Sequence, residues 1–160
     1  MNIELKDGSK LVIDGPKSAY EIAKQIGERL AKVALVCKID GVLTSMREVI
    51  DHDCKFEVLT WNDDEAKAVY RHTASHILAQ AVRNVYPTVQ LAIGPSIENG
   101  FYYDFDFKTP ITQGDFEKIE AEMKAIIKAD MPIERKVVSR KEAESMLKKM
   151  KQAYKIELLA

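Results

Sequence analysis

The stretch that decides the fold of the first part of the chain is ALVCKIDGVL, residues 34–43. Its first six residues are mostly apolar, which predicts a β-strand. The Asp40-Gly41 pair that follows is typical of a two-residue hairpin turn, because glycine tolerates positive φ. The stretch therefore predicts a strand that ends in a tight turn.

A second hairpin is predicted upstream of this stretch. Residues 2–12, NIELKDGSKLV, alternate polar and apolar side chains around Asp7-Gly8, which again suits a two-residue turn. Downstream, residues 54–60 read CKFEVLT and alternate in the same way, which predicts a final strand. Strands are thus expected on both sides of the central segment.

A single helix is predicted between the two hairpins. Residues 18–34, SAYEIAKQIGERLAKVA, begin with a capping box formed by Ser18 and Glu21. Apolar side chains then recur at helical spacing, as Tyr20, Ile22 and Ile26 illustrate. This pattern predicts one helix that crosses the first hairpin.

The order strand, strand, helix, strand, strand is that of a β-grasp module of the ubiquitin type, in which one helix covers one face of one sheet. The polar run WNDDEAK, residues 61–67, interrupts the strand pattern, and Asn62 or Asp63 can cap a following helix. We therefore predict a β-grasp domain over residues 1–62 and a second α+β domain over residues 63–160. The fold class of the whole chain is α+β.

The second domain is predicted to be built on a long helix and antiparallel strands. The helix runs from Asp64 to Tyr86 and is stopped by Pro87. Residues 89–107, VQLAIGPSIENGFYYDFDF, then predict two strands, with a break at Gly94-Pro95 and a tight turn at Asn99-Gly100.

The remaining residues predict two more helices and two more strands. A helix is expected from about Asp115 to Ala129, and a capping box of Ser139 and Glu142 opens another. Strands are expected at IERKVVS, residues 133–139, and at AYKIELLA, residues 153–160. No internal repeat or low-complexity segment is present.

Composition excludes several classes of protein. The 24 basic and 25 acidic residues give a net charge of −1, so no global attraction to nucleic acid or to an anionic membrane follows. No run approaches the roughly 18 apolar residues of a membrane helix, and the N-terminus lacks the apolar core of a secretion signal. A cytoplasmic protein without a membrane partner is therefore expected. Cys37 and Cys54 are interpreted as thiols in strands.

A local excess of positive charge lies near the C-terminus. Residues 134–155 contain eight Lys or Arg against three Glu, which fits a surface facing a nucleic-acid phosphate backbone. A solvated helix face is the alternative interpretation.

Two histidines, His72 and His76, lie four residues apart on the long helix. This spacing places their Cβ atoms about 6 Å apart on one face, where they can hold one metal ion or one small substrate together. Thr73 follows the first histidine, so the chain lacks the glutamate of an H-E-x-x-H metalloprotease. The alternative is a pair of core-edge residues satisfied by carbonyls or water. A zinc site would need more ligands, and the only other histidine is His52.

The runs RHTASHILAQAV, residues 71–82, and LAIGPSIENGFYYDFDF, residues 91–107, resemble the editing domain of bacterial threonine–tRNA ligases. The first module resembles the TGS domain that precedes it in the family. The resemblance covers essentially the whole chain and implies a pocket that hydrolyses serine wrongly attached to threonine tRNA. It assigns His72, His76 and Lys155 as catalytic residues and Tyr103 as a substrate-binding residue.

The resemblance also implies what this sequence lacks. The family carries a C-x-x-x-H motif further along the chain, so the editing domain is expected to be incomplete at its C-terminus and to have little deacylase activity. His72 and His76 become candidate zinc ligands if that motif supplies the others.

For a full-length enzyme the resemblance implies ATP, magnesium and zinc as cofactors, tRNA(Thr) as partner and a homodimer. No cofactor is expected in these 160 residues. The alternative function is a free-standing TGS-containing adaptor that binds RNA or protein without catalysis.

Overall fold

A computed structural model describes residues 1–159 of the chain. It is a mixed α and β structure, consistent with the predicted α+β class. The chain divides into two compact units, Met1–Tyr70 and the residues from Arg71 onward. The first unit contains the strands β1 (Asn2–Leu5), β2 (Lys10–Val12), β3 (Lys17–Ser18), β4 (Ala34–Ile39), β5 (Val42–Thr44), β6 (Val49–Ile50) and β7 (Cys54–Thr60), with the helices α1 (Ala19–Ile26) and α2 (Glu28–Val33).

One long helix, α3 (Asp64–Val85), begins in the first unit and continues into the second. The second unit then contains the strands β8 (Gln90–Leu91), β9 (Ser96–Ile97), β10 (Gly100–Phe101) and β11 (Phe105–Asp106), with the helices α4 (Gln113–Ala129), α5 (Arg140–Lys149) and α6 (Ala153–Glu157). Within residues 1–159, none of the helices combines the length and the apolar character that crossing a membrane requires.

The first unit is organised around a five-stranded sheet with the order β2-β1-β7-β4-β5. The pairing of β1 with β7 is parallel, and the other pairs are antiparallel. Helix α1 packs its buried face, including Ile22, on the sheet residues Ile3 and Phe56. These side chains are almost completely removed from water, so they form the core of the unit.

The turn predicted at Asp40-Gly41 is confirmed. Asp40 has φ of 50° and Gly41 has φ of 81°, and Ile39 pairs with Val42 across the turn. Positive φ at both central positions is the geometry that matches the twist of a two-residue hairpin. The upstream turn differs from its prediction, because four residues, 6–9, separate β1 from β2. There the Asp7 carboxylate accepts a hydrogen bond from the Ser9 amide at 3.0 Å.

The single helix predicted for residues 18–34 is wrong, because the structure has two helices. Gly27 separates α1 from α2 and has extended backbone angles. Glycine has the lowest helix propensity after proline, which explains the break. The capping box is confirmed: Ser18 Oγ accepts from the Glu21 amide at 3.2 Å, and the Ser18 amide donates to Glu21 Oε2 at 2.8 Å.

The two cysteines occupy strands, as predicted. Cys37 lies on β4 and Cys54 on β7, and both are buried. Burial raises the pKa of the Cys37 thiol to about 11, so this thiol stays protonated at neutral pH.

The second unit has a smaller core around the second part of α3. Its fully buried members are contributed by α3, by the segment before β8 and by α4, namely Ala81, Val82, Val89 and Ile119. The helix ends at Val85, one residue before the predicted end at Tyr86 and two residues before Pro87. Helix α4 begins at Gln113, two residues before the predicted start.

The segment predicted to form two strands forms four strands of two residues each. They make two antiparallel pairs, β8 with β11 and β9 with β10. The tight turn consists of Glu98 and Asn99, one residue earlier than predicted, because Gly100 already pairs with Ile97. Gly94 and Pro95 lie in the unpaired stretch between β8 and β9, as predicted.

Two further strand predictions are wrong. Residues 133–139 belong to no strand, and Ile133 and Val137 are 73% and 77% exposed. A strand needs a neighbouring edge to satisfy its backbone groups, and residues 133–139 pair with none of the described strands. The stretch predicted as a C-terminal strand contains the helix α6, and its last residue, Ala160, lies outside the described residues. The helix predicted at Ser139 is confirmed as α5, with Ser139 Oγ accepting from the Glu142 amide at 3.3 Å.

Candidate active site

The two histidines of α3 form a close pair on the surface of the second unit. The ring centroids of His72 and His76 are 4.4 Å apart, and the ring planes make an angle of 59°. Both side chains are exposed, so neither ring is enclosed in the apolar core. The one-turn spacing therefore presents two imidazoles together to solvent, where a substrate can reach them.

A buried serine between the two histidines connects α3 to a neighbouring loop. Ser75 is fully buried, and its hydroxyl lies 2.8 Å from the His72 carbonyl oxygen and 2.9 Å from the Gly94 carbonyl oxygen. A helical serine commonly bonds to a carbonyl one turn back, and here the same hydroxyl reaches a second chain segment. Sequence analysis missed Ser75; the signal was a small polar residue at helical spacing from the apolar residues Ala79 and Val82.

Gly94 has a steric role beside Tyr103. A Cβ atom built on Gly94 would lie 2.0 Å from Cδ2 of the Tyr103 ring, far inside contact distance. The ring therefore occupies the space that a side chain at position 94 would need. Tyr103 also stacks on Phe105, with ring centroids 4.7 Å apart and an interplanar angle of 22°. These contacts hold the aromatic ring in one place.

Lys155 lies beside the same tyrosine. Its Nζ atom is 5.6 Å from the centroid of the Tyr103 ring, within the range of a cation–π interaction. The lysine is half-buried and belongs to α6, not to the strand that the sequence predicted. The structure thus brings together two residues that are 52 positions apart in the sequence.

An open cleft of about 840 Å³ joins these groups. Its wall includes His76, Tyr103 and Lys155, which come from α3, the β10–β11 segment and α6. Apolar side chains such as Ile77 and Leu91 form other parts of the wall, and Arg83 adds another positive charge. His72 does not line this cleft but stands next to His76 at its side. The cleft is large enough for an amino acid and part of a ribose.

The environment of His76 favours its neutral form. Partial desolvation against the cleft wall lowers the pKa of His76, although much of the side chain is exposed, and the charges of His72 and Lys155 lower it further. His76 therefore carries a free nitrogen lone pair at neutral pH, as a general base requires.

The histidine pair alone does not make a complete metal site. Among residues 1–159, no group of three or more histidine, cysteine, aspartate or glutamate side chains is arranged to hold a metal ion. Zinc takes at least three protein ligands in catalytic sites and four in structural ones, so two imidazoles fall short. The third histidine, His52, belongs to the first unit and lies 2.9 Å from an Asp51 oxygen.

Comparison with known proteins identifies relatives over the full chain. No family model matches the sequence. The chain is 47% identical over 159 residues to threonine–tRNA ligase of Caldanaerobacter subterraneus subsp. tengcongensis, which is 99% of this chain and 25% of that protein. It is 48% identical over 154 residues to threonine–tRNA ligase of Natranaerobius thermophilus, covering 96% of this chain and 24% of the relative. With threonine–tRNA ligase of Clostridioides difficile it shares 44% identity over 160 residues. The chain spans about a quarter of the length of the curated relatives it matches.

Proposed function

We propose that the second unit forms part of a pocket that hydrolyses mischarged Ser-tRNA(Thr). The proposal follows from the correspondence of the chain, over its whole length, to the N-terminal region of threonine–tRNA ligases. The observation that carries the proposal is the cleft in which His76, Tyr103 and Lys155 meet, with His72 beside it. The first unit is proposed to be a TGS domain of the β-grasp type. Its mixed five-stranded sheet, with α1 packed on it, supports that assignment.

The need for such a pocket follows from the chemistry of the two amino acids. Serine is threonine without a methyl group, so it fits any site that accepts threonine. One missing methyl group is worth only about 1–3 kcal/mol of discrimination. A separate site that hydrolyses the wrong ester supplies the remaining fidelity.

The proposed reaction is hydrolysis of the ester between serine and the terminal ribose of the tRNA. A water oxygen attacks the ester carbonyl carbon, and the bond to the ribose oxygen breaks. His76, held neutral by its environment, accepts the water proton and returns it to the departing ribose oxygen. The products are free serine and uncharged tRNA(Thr), and the imidazole ends the cycle as it began.

The neighbouring side chains take complementary roles. The Lys155 ammonium stabilises the negative charge that develops on the carbonyl oxygen. The Tyr103 hydroxyl binds the amino acid, and His72 orients the ribose or the attacking water. These steps use only side chains of this chain and need no metal ion. Zinc held by His72 and His76 would require ligands from other residues.

The 160 residues are expected to hydrolyse Ser-tRNA(Thr) only weakly by themselves. No cysteine or histidine follows His76, so the C-x-x-x-H motif of the family is not within this sequence. For the whole protein we propose ATP-dependent attachment of threonine to tRNA(Thr) in the cytoplasm. We further propose that a homodimer performs this reaction with magnesium and zinc as cofactors.

The test is a chimaera in which this chain replaces the matching quarter of the Clostridioides difficile threonine–tRNA ligase. His76→Ala should lower the rate of Ser-tRNA(Thr) hydrolysis by about 10²–10⁴-fold, the usual contribution of a general base. Charging of tRNA with threonine should not change. His52→Ala is the matched control, because His52 lies in the first unit and should leave hydrolysis unaffected.

Two outcomes would contradict the proposal. Hydrolysis that is unchanged in both His72→Ala and His76→Ala would remove the histidine pair from the reaction. Tight, salt-sensitive binding of tRNA by a chimaera that does not hydrolyse Ser-tRNA(Thr) would favour a binding adaptor.

A further inference from the structure

Gln152 is a buried polar residue that closes the edge of a strand with its side chain. It is 2% exposed and directly precedes α6. Its Nε2 donates to the Val89 carbonyl oxygen at 3.2 Å, and its Oε1 accepts from the Leu91 amide at 2.8 Å. Backbone groups two residues apart on one edge are those that a neighbouring strand would pair with. The amide of Gln152 therefore takes the place of a strand beside β8.

Two more hydrogen bonds fix the first turn of α6 to the same strand pair. The Ala153 amide donates to Gln90 Oε1 at 3.1 Å, and the Tyr154 hydroxyl donates to Asp106 Oδ2 at 3.0 Å. Asp106 lies on β11, which pairs with β8. A helix of five residues is too short to be stable without such anchors. The hydrogen bonds to the strand pair therefore fix the position of α6.

The same strand pair supports the tyrosine of the cleft. Phe105 of β11 pairs with Leu91 of β8, and its ring stacks on Tyr103. Lys155 follows Gln152 by three residues, at the end of the anchored turn. Gln152 thus connects the backbone that carries Lys155 to the strands that hold Tyr103.

We propose that Gln152 is a positioning residue, which holds the Lys155 ammonium beside the Tyr103 ring by completing the edge of β8. Its amide offers a donor and an acceptor on one carbon, which match one carbonyl and one amide of the strand. A carboxylate lacks the donor, and an apolar side chain lacks both. The inference rests on the proposed function only for the role of Lys155 in ester hydrolysis; the position of the ammonium does not depend on it.

The first experiment measures the position of Lys155 without any catalysis. The His76 pKa is followed by ¹H NMR in the 160-residue chain, because the Lys155 charge lowers it. Gln152→Met keeps the length of the side chain but removes both hydrogen bonds. It should raise the His76 pKa towards the value in Lys155→Met, and the double variant should show no further rise. Gln113→Met, at the exposed start of α4, is the control and should leave the pKa unchanged.

The double variant separates displacement of Lys155 from general loss of structure. If Gln152→Met raises the His76 pKa further in the Lys155→Met background, the glutamine acts on the whole unit and the proposal is overturned. An unchanged His76 pKa in Gln152→Met overturns it as well. Tyr154→Phe, which removes only the bond to Asp106, should give a smaller rise in the same direction.

The second experiment uses the chimaera described above. Gln152→Met should lower kcat for Ser-tRNA(Thr) hydrolysis by about 10-fold or more with little change in KM, and it should cause no additional loss in Lys155→Met. Equal loss in both backgrounds would contradict the positioning role. A chimaera with no hydrolysis at all would refute the proposed function, whereas the NMR titration would still decide the role of Gln152.

Discussion

The two units differ in how far their strands pair with one another. In the first unit, strands of up to seven residues pair side by side, and Ile3, Ile22 and Phe56 fill the space beneath α1. In the second unit, every strand has two residues, and side chains bond directly to backbone at several points. Ser75 reaches the Gly94 carbonyl, Arg71 donates to the carbonyls of Ile97 and Glu98, and Gln152 bonds to β8.

This difference explains where a candidate site can form. A sheet with continuous pairing distributes its stability over many equivalent bonds, so no single side chain decides its geometry. The second unit depends on individual side chains, and those same contacts place His76, Tyr103 and Lys155 around one cleft. A single substitution should therefore unfold the first unit only when it removes contacts in the core. In the second unit, a single substitution should change the structure locally.

The largest effect should come from the core of the first unit. Phe56 is 2% exposed, and Phe56→Ala should lower the free energy of unfolding by about 3–5 kcal/mol, because it removes apolar contacts and leaves a cavity. Urea unfolding followed by the fluorescence of Trp61, the only tryptophan, measures this loss. Val12→Ala, at a side chain 72% exposed, should change stability by less than about 0.5 kcal/mol. Equal losses in the two variants would contradict the core assignment.

A steric change in the second unit should have a smaller but more local effect. Gly94→Ala places a Cβ atom in the space of the Tyr103 ring and should cost about 1–3 kcal/mol. The nuclear Overhauser contacts between Tyr103 and Lys155 should weaken, because the ring must move. Gly114→Ala is the matched control, since its nearest neighbour would be Thr112 Oγ1 at 3.9 Å. Retention of those contacts in Gly94→Ala would show that the ring position does not depend on Gly94.

Removal of a serine cap from a helix of each unit allows a direct comparison of the two units. Ser18→Ala removes the cap of α1, which packs on the core of the first unit, and should cost about 1 kcal/mol. Ser139→Ala removes the same kind of cap from α5, which has no buried residues. Its cost to global unfolding should be only a few tenths of a kcal/mol, because α5 can fray without exposing a core. Thermal unfolding of both variants measures the difference, and a larger loss in Ser139→Ala would reverse the comparison.

The smallest expected effect is a pair of opposite pKa shifts. The Asp51 carboxylate beside His52 raises the pKa of that imidazole, whereas burial and the charges of His72 and Lys155 lower the pKa of His76. As the pH falls through the ordinary histidine value of about 6.5, His52 should protonate before His76. Protonation therefore favours the folded state at His52 and opposes it at His76. A ¹H NMR titration gives the order of the two pKa values. A higher pKa for His76 than for His52 would contradict the environments described for the two residues.

Local patterns were sufficient to predict much of the first unit. The turn at Asp40-Gly41, the capping box at Ser18 and the strand at residues 54–60 depend on neighbours in the sequence, and all are present. The break at Gly27 was missed, because the apolar spacing continues across the glycine although the backbone does not.

The second unit was harder to predict, because its structure depends on contacts between distant residues. The apolar content of residues 133–139 suggested a strand, but a strand forms only where a partner edge exists. The C-terminal stretch alternates like a strand, yet the Gln152 side chain occupies the edge of β8 and the backbone turns into α6. The helix that carries His72 and His76 was predicted, whereas the roles of Ser75, Gly94 and Gln152 were not, because they depend on hydrogen bonds or close contacts with distant residues.

The exposed, irregular segment between α4 and α5 has a consequence for limited proteolysis. Its residues from Met131 to Val137 are all exposed and include the adjacent basic pair Arg135-Lys136. A protease needs several residues of accessible, extended backbone, so trypsin should cut here before it cuts the helices. The cut would leave Lys155 on a separate peptide from His76, retained by non-covalent contacts that include the hydrogen bonds to the strand pair and the contact with Tyr103. Co-elution of the two tryptic peptides under native conditions would therefore measure how firmly those contacts hold.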